Sequence, residues 1–516
     1  MKRRIFALLL ALCMLPVLSV RAAEDTGKDP TESAKVKEAY VSARFSAVYA
    51  NEAGRILACD TWNKIIWDLS GDTPEYYAGR IGIPDLTGEP HGRYHDAERL
   101  RAFFMQPNAI VPFLSGYAVT DTEANVVRYV TEKSVQTLTG TGQMGNSNGS
   151  GISAAFSRPT GLAAGADGVL YIADTGNGSI RMMTKNGYVS DYVTDLSEPT
   201  GICWANGSLY VAETGKNRVV KITNGTSEVL AGLAIPAEDG EYYGGYADGP
   251  APRAEFDHPQ GIAVGKDGTV YIADTLNHAI RMLKDGRVYT LSRNADYLSQ
   301  PIQPRGLAIA GNTLFAACSN GVMKLPLQPK QFADVEKDSW YAAYADEAAL
   351  RGLVRGTTET TFAPDICTNR AMFVTMLSRV HGTVDGTAVI DGEQSFDDIV
   401  SGAWYAAPAR WSIDQGIING IGEMFVPDGD LTREQAVVML YRYANMLGMD
   451  VTADGEKSVS DFRDAADVGS WAADAMNWAV GAEIVQGADG ALLPGAQVDR
   501  AQSAALLLRF MEVYGL

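Results

Sequence analysis

The last third of the chain repeats itself three times, and a pattern repeated at fixed spacing leaves few folds open. Each copy runs Phe, Asp two residues on, Trp, a Gly-bounded turn, then Pro six residues ahead of an Arg that opens an amphipathic stretch. The first copy has Phe332, Asp334, Trp340, Gly356, Pro364 and Arg370, and the second Phe396, Asp398, Trp404, Gly420, Pro427 and Arg433. The third has Phe462, Asp464, Trp471, Gly487, Pro494 and Arg500. Asp to Gly is 22 residues in the first two copies and 23 in the third, where one residue is inserted before Trp471. Behind the Arg, apolar residues fall on one helical face, as Phe373, Met376, Leu377 and Val380 do in copy one and Val437, Leu440 and Tyr443 in copy two. The first Trp of each copy opens an earlier helix, along which Trp411 and Trp478 follow in copies two and three. Two helices per copy, each with one apolar face, predict that the three copies pack together.

Asn369, Thr432 and Asp499 precede the arginines and are good N-caps; Thr432 with Gln435 makes a capping box, Asp499 with Gln502 a weaker one. Arg370, Arg433 and Arg500 are thereby placed at helix N-termini, where the backbone dipole and the guanidinium both favour an anion held by a bidentate fork. A second reading pairs each Arg with its own repeat's Asp334, Asp398 or Asp464 and keeps it from any ligand. For the tryptophans the two readings are core packing and a stacking platform.

Residues 40–328 repeat differently. The clearest copy covers residues 158–183: a strand from Arg158-Pro-Thr-Gly, an Asp167-Gly turn, the strand Val169-Leu-Tyr-Ile-Ala-Asp-Thr, Asn177, and Ile180-Arg-Met-Met. Copies follow at 199–222 and 259–283, with weaker ones beginning at Phe45, Pro107 and Pro304. Strand, tight turn, strand is the signature of antiparallel hairpins. Three seams end in Phe-x-x-Pro, at Phe104, Phe156 and Phe256, and an aromatic there packs between neighbouring sheets. Six small sheets, none able to bury both faces alone, are satisfied by radial stacking about an axis. Asp60, Asn63, Asp174, Asn177, Asp274 and Asn277 could be metal or sugar ligands, but short Asp and Asn side chains more commonly tie hairpin turns to nearby backbone.

On Gly-Leu-Ala or Gly-Ile-Ala followed by Tyr-Ile-Ala-Asp-Thr-x-Asn, seen in residues 161–177 and 261–277, this region resembles the NHL-repeat β-propellers. Copy four departs with Glu213 and Lys216, and copy six with Cys318 in place of the Asp; residues 34–42 are a candidate for the strand completing the last blade. The C-terminal copies resemble S-layer homology (SLH) domains. That resemblance implies a mainly α-helical three-repeat pseudo-trimer whose grooves bind a secondary cell wall polymer, often capped with a pyruvylated amino sugar. It implies polymer contact by Arg370, Arg433 and Arg500, by Trp340, Trp404 and Trp471, and by Asp334, Asp398, Asp464, Gly356, Gly420 and Gly487. Where the family has Thr-Arg-Ala-Glu, this chain has Asn369-Arg-Ala-Met372, Thr432-Arg-Glu-Gln435 and Asp499-Arg-Ala-Gln502, so Glu434 and Asp499 add negative charge beside two of the grooves.

Charge restricts the partners further. From residue 329 onward there are 13 basic against 28 acidic residues, a net of −15, and over 23–328 there are 26 against 34. Phosphate backbones need a basic footprint, so nucleic acid is excluded, as is a polybasic membrane contact. An anionic polymer must then be held by short-range contacts, since charges beyond about 8 Å are largely screened at about 0.15 M salt. Three such sites on one body add avidity, and divalent cations bridging the acidic surface to the polymer would add more.

Lys2, Arg3 and Arg4, an apolar run over 5–20 and Val20-Arg21-Ala22 read as a secretory signal peptide cleaved after Ala22, and no other stretch is apolar enough to span a bilayer. The remaining cysteines, Cys59, Cys203, Cys318 and Cys367, are too scattered for a disulfide scaffold or a zinc site. His91 and His95 stand four apart, but Pro90 and Gly92 break a helix there, and a catalytic zinc needs a third ligand. No nucleophile elbow, phosphate loop or His-Glu-x-x-His occurs, so no catalytic residue, metal ligand or cofactor is assigned.

The expected architecture is a multidomain chain. It has a signal peptide (1–22), a linker (23–39), an all-β six-bladed NHL-like propeller (40–328) and SLH repeats at 329–390, 391–455 and 456–516. The expected function is a secreted protein, associated with the cell wall or S-layer through the secondary wall polysaccharide, whose propeller displays a surface for a protein or glycan. The alternative is a wall-tethered propeller enzyme, a metal-dependent lyase or a lactone hydrolase.

Overall fold

The computed structural model describes residues 40–238, 240–293, 303–327, 332–358, 360–384, 392, 396–452, 455, 457–514 and 516. The expected signal peptide and linker lie outside them. The chain divides into two compact units, a β unit ending at Leu327 and a second made chiefly of residues 328–516.

Among the described residues six antiparallel sheets form the blades, their first strands being Phe45–Ala50, Pro107–Phe113, Pro159–Ala164, Pro199–Ala205, Pro259–Val264 and Pro304–Ala310, and a seventh, two-stranded sheet pairs Ile235–Pro236 with Tyr242–Tyr243. Each first strand neighbours the next, and Pro304–Ala310 returns to Phe45–Ala50, so the six blades close into a propeller. Close backbone approach at this ring explains its glycines: a Cβ on Gly161, Gly201 or Gly261 would collide with a carbonyl of the next blade. The sixth blade has three strands among the described residues. Of the stretch expected to complete it, Tyr40 and Val41 are helical and Ser42 lies in a turn, while 34–39 fall outside the described residues. Phe104, Phe156 and Phe256 are buried, as expected for residues packed between sheets.

The turn aspartates have a structural role. Asp174 accepts hydrogen bonds from the Ser157 amide (2.7 Å), Asn177 Nδ2 (2.8 Å) and Arg181 Nη1 (3.0 Å). Asp274 repeats this with Asp257, Asn277 and Arg281, and Asp121 does so with Gln106 and Arg128. The guanidiniums of Arg128, Arg181 and Arg281 lie over Phe104, Phe156 and Phe256. An Asp with an Arg seven residues on is therefore the strut of three blades; in the first blade Trp67 Nε1 meets Asp60 instead, at 2.8 Å.

Among the described residues the second unit holds six α-helices, two per repeat: α1 (Ala342–Leu350), α2 (Arg370–Val384), α3 (Ala406–Asp414), α4 (Arg433–Met446), α5 (Ala473–Gly481) and α6 (Arg500–Tyr514). Their apolar faces merge into one core, with Phe373, Leu377, Trp411, Leu440, Tyr443, Trp478 and Leu507 among its members. A cycle of backbone hydrogen bonds gives it threefold pseudosymmetry: Thr368 donates to Val498 (2.8 Å), Val498 to Leu431 (2.9 Å) and Leu431 to Thr368 (3.1 Å). No helix among the described residues is long and apolar enough to cross a membrane.

Candidate functional site: the grooves between repeats

The three arginines open α2, α4 and α6, and Asn369, Thr432 and Asp499 cap those helices through the amides of Met372, Gln435 and Gln502. The Thr432–Gln435 capping box is complete. In repeat three, Gln502 turns its carbonyl to Arg433 Nη2 (3.3 Å) instead of closing a box with Asp499.

The first two amides of each helix do not face an open anion site. Arg370 and Ala371 donate to the carbonyls of Gly429 and Pro427, Arg433 and Glu434 to those of Ala496 and Pro494, and Arg500 and Ala501 to those of Ile366 and Pro364. With the third amide on the cap, each helix start is filled by the following repeat, and the N-terminal amides expected to hold an anion are occupied. The Pro six residues ahead of each Arg is the piece that docks there.

The arginine side chains follow the same cycle. Arg370 donates from Nε to the Phe425 carbonyl (2.6 Å) and from Nη2 to the Asn419 carbonyl (2.7 Å). Arg500 does the same to Phe362 (2.8 Å) and Arg355 (2.6 Å), and Arg433 Nη1 reaches the Leu492 carbonyl (2.6 Å). Arg370 and Arg500 are 5% and 6% exposed, so most of each guanidinium is a clamp between repeats, with Nη1 left without a protein acceptor among the described residues. Burial lowers the pKa of Arg370 to about 10, and the nearby Asp398 works against that shift.

Asp334, Asp398 and Asp464 make no ion pair with these arginines among the described residues. Each accepts two successive amides of its own repeat: Phe362 and Ala363, Phe425 and Val426, Leu492 and Leu493. The Asp thus fixes the carbonyl that the neighbouring Arg grips. Gly356, Gly420 and Gly487 let the ring that opens the repeat approach: an added Cβ would stand 2.6 Å from Phe332 Cε1, 2.6 Å from Phe396 Cε1 and 2.5 Å from Phe462 Cε1. The residues before the first two, Arg355 and Asn419, supply the carbonyls to Arg500 and Arg370.

The tryptophans divide into two sets. Trp411 and Trp478 are core, whereas Trp340, Trp404 and Trp471 are 56%, 60% and 57% exposed. Trp404 touches Tyr405 (ring centroids 5.5 Å apart), Tyr405 stacks on Phe425 (6.3 Å), and Arg370 lies over Phe425 at 5.2 Å. Exposed indole, stacked rings and clamped guanidinium are therefore contiguous at this junction between repeats. Arg500 lies likewise over Phe362 at 5.0 Å, in the repeat where Trp340 touches Tyr341. The groove of Arg433 differs: Leu492 replaces the Phe, Ala472 replaces the Tyr, and Glu434 stands where the others have Ala371 and Ala501. Glu434 accepts the Gly469 amide at 3.0 Å, at the turn leading to Trp471.

Among the described residues, no three His, Cys, Asp or Glu converge as a metal site. Cys59 and Cys318 are buried thiols, with burial pushing Cys318 up to about 12, while Cys203 and Cys367 are partly exposed.

Comparison with known proteins agrees with this division. The family model of the S-layer homology domain matches residues 331–365, 395–437 and 461–504, and that of the NHL repeat matches 156–181 and 256–283. The chain carries three SLH domains on its six-helix repeats and NHL repeats on its propeller. It is 31% identical over 189 residues to an amylopullulanase of Thermoanaerobacterium thermosulfurigenes, covering 36% of this chain and 10% of that protein. To the surface-layer 125 kDa protein of Lysinibacillus sphaericus it is 26% identical over 188 residues, or 35% and 15% of the two chains. The chain spans 10% to 18% of the length of the first curated relatives it matches. Among solved structures, virginiamycin B lyase from Staphylococcus aureus aligns over 55% of this chain and 94% of its own, at 13% identity and a TM-score of 0.37.

Proposed function

We infer that this is an exported surface protein, held without a covalent bond on a bacterial cell wall by its SLH domains, with the propeller displayed outward to a protein or glycan. The observation that carries this reading is the threefold recurrence of an exposed tryptophan beside the start of an arginine-led helix. An indole left more than half in water at the same place in three repeats is not part of the core, and an aromatic face is what a sugar ring stacks on. The S-layer and polysaccharide-degrading proteins with which the chain shares sequence support a surface location, and residues 1–22 are the export signal of the same reading.

The ligand is an acidic wall polysaccharide, of which a pyruvylated amino sugar is the fitting unit. Its carboxylate meets the free Nη1 edge of Arg370 or Arg500, and its ring lies on the indole. Because both guanidiniums are immobilised by carbonyls, little side-chain entropy is lost on binding. The test is Trp340→Ala, Trp404→Ala and Trp471→Ala in one chain, incubated with purified wall sacculi. Exposed substitutions shift stability by about 0.5 kcal/mol or less each, so the variant stays folded by circular dichroism, and it is expected to remain in the supernatant. Co-sedimentation at the wild-type level would overturn the assignment.

A further inference from the structure

In every blade the first strand begins by pairing with the end of the second: Phe45 with Asp60, Pro107 with Asp121, Pro159 with Asp174, Pro199 with Glu213, Pro259 with Asp274 and Pro304 with Cys318. The next residues are Ser46, Asn108, Thr160, Thr200, Gln260 and Arg305, and hydrogen bonds and close backbone approaches between neighbouring first strands place them in one layer around the axis. Ser46 Oγ donates to the Asn108 carbonyl (2.8 Å), and Thr120 of blade two donates to the Thr160 carbonyl (2.7 Å). Thr160 Oγ1 lies 3.5 Å from the Thr200 carbonyl, and Thr200 Oγ1 donates to the Gln260 carbonyl (3.1 Å). A Cβ on Gly261 would collide with the Arg305 carbonyl and one on Gly306 would stand 2.5 Å from that of Ser46, so the first strands of blades five, six and one approach closely and complete the circle.

Arg305 is the anomaly of this layer. The fully buried arginines of the blades, Arg128, Arg181 and Arg281, each pair with a buried carboxylate. Arg128 and Arg181 also have an Nε sealed from solvent without a hydrogen-bond acceptor, but their other nitrogens are paired; Arg305 shares the sealed Nε and has no ion pair or side-chain hydrogen bond at all among the described residues. Its pKa is lowered by burial and then by the charge of Arg44, which leads into the adjacent first strand and lies over Trp62 at 4.1 Å. Among the described residues no carboxylate forms an ion pair with either guanidinium, in a region whose net charge over 23–328 is negative. A half-buried cation without a partner among the described residues is unfavourable, and the charge of the solvent-exposed Arg44 near it adds a smaller, screened repulsion. Such an arrangement is stabilised when an anion enters, and guanidinium forks match the geometry of oxyanions.

We propose that the first-strand layer at the propeller axis is a binding site for a compact oxyanion, a carboxylate or a phosphate group, gripped by Arg305 and Arg44 beside Gln260. This goes beyond wall attachment and does not depend on it: the propeller's ligand is acidic, and blade six, which has Cys318 where the other blades have Asp or Glu, is where its charge is read.

Isothermal titration of the full-length protein at constant ionic strength, with sodium glucuronate, inorganic phosphate and glucose as probes, tests this. Saturable heat is expected with glucuronate or phosphate and none with glucose; which of the two responds distinguishes a carboxylate from a phosphate ligand. Arg305→Gln and Arg44→Gln should each weaken binding by at least about tenfold, the equivalent of one charge-assisted hydrogen bond. Arg305→Gln should also raise the melting temperature of the ligand-free protein, because it removes an uncompensated cation. No heat with either anion, binding that survives Arg305→Gln, or a melting temperature lowered by that substitution would each overturn the proposal.

Discussion

Asp334, Asp398 and Asp464 each hold two neighbouring amides at a loop about 28 residues downstream, and that grip has a consequence for acid stability. The folded pKa of Asp334 is lowered: burial pushes it up, but the amides of Phe362 and Ala363 outweigh that effect. That of Asp464 is lowered chiefly by the Leu492 amide. A lowered folded value means that the unfolded chain binds more protons in this range. The contribution is therefore complete above the ordinary aspartate value of about 3.9 and is lost as pH falls through the lowered folded values. Melting temperatures between pH 5 and pH 2 should fall more steeply for the wild type than for Asp334→Asn/Asp464→Asn, which should be less stable at pH 5 and converge with the wild type at pH 2. The sequence marked these residues by their spacing, and the family resemblance implied polymer contact for them, with an ion pair to the Arg of the same repeat as the second reading. Nothing local to Phe332-x-Asp334 shows that its partners are amides at Phe362 and Ala363, because the return of the chain is a tertiary event.

At the level of helices and strands, hydrophobic period made most of the architecture legible. Phe373, Met376, Leu377 and Val380 mark the buried face of α2, and Thr432 with Gln435 marks the start of α4. The connection between elements was hidden. Pro364, Pro427 and Pro494 precede an Arg of their own repeat by six residues, yet each receives the second amide of the helix in the preceding repeat of the cycle. Arg370→Ala should therefore destabilise the helical unit by about 3 kcal/mol, since it removes charge-assisted hydrogen bonds to two carbonyls of repeat two and leaves them without a donor. Urea unfolding followed by Trp fluorescence measures this, with Arg370→Lys expected to recover only part of the loss, a single ammonium being unable to reproduce the fork. Exchanging all three arginines for Ala tests folding before it tests wall attachment. In the propeller, Asp174 and Arg181 appeared in the strand pattern, but the seven-residue strut between them emerged only from the register that brings Asp174 opposite Ser179.

In the molecule as a whole, residues from 329 onward carry a net charge of −15, and the three Arg-led sites between the repeats are not alike. Those led by Arg370 and Arg500 have an aromatic floor and a small Ala beside the Arg; the one led by Arg433 has Leu492 and the carboxylate of Glu434. Trp340→Ala or Trp404→Ala, each removing one of two cooperating sites, should lower apparent affinity for sacculi by about 100-fold, on the scale of lost avidity. Trp471→Ala should leave the binding isotherm unchanged, and an equal loss from all three would show the grooves to be equivalent. The cyclic arrangement of donors and acceptors has a last implication. The carbonyls that seat α4 come from the third copy, those that seat α6 come from the first, and the ring of Thr368, Leu431 and Val498 needs one strand from each. Loss of any single copy, by a nick or by premature termination, would open the circle and leave the other two incomplete. Such a fragment would not hold on with two-thirds strength; it would be shed, so the surface would retain only molecules in which all three copies are intact.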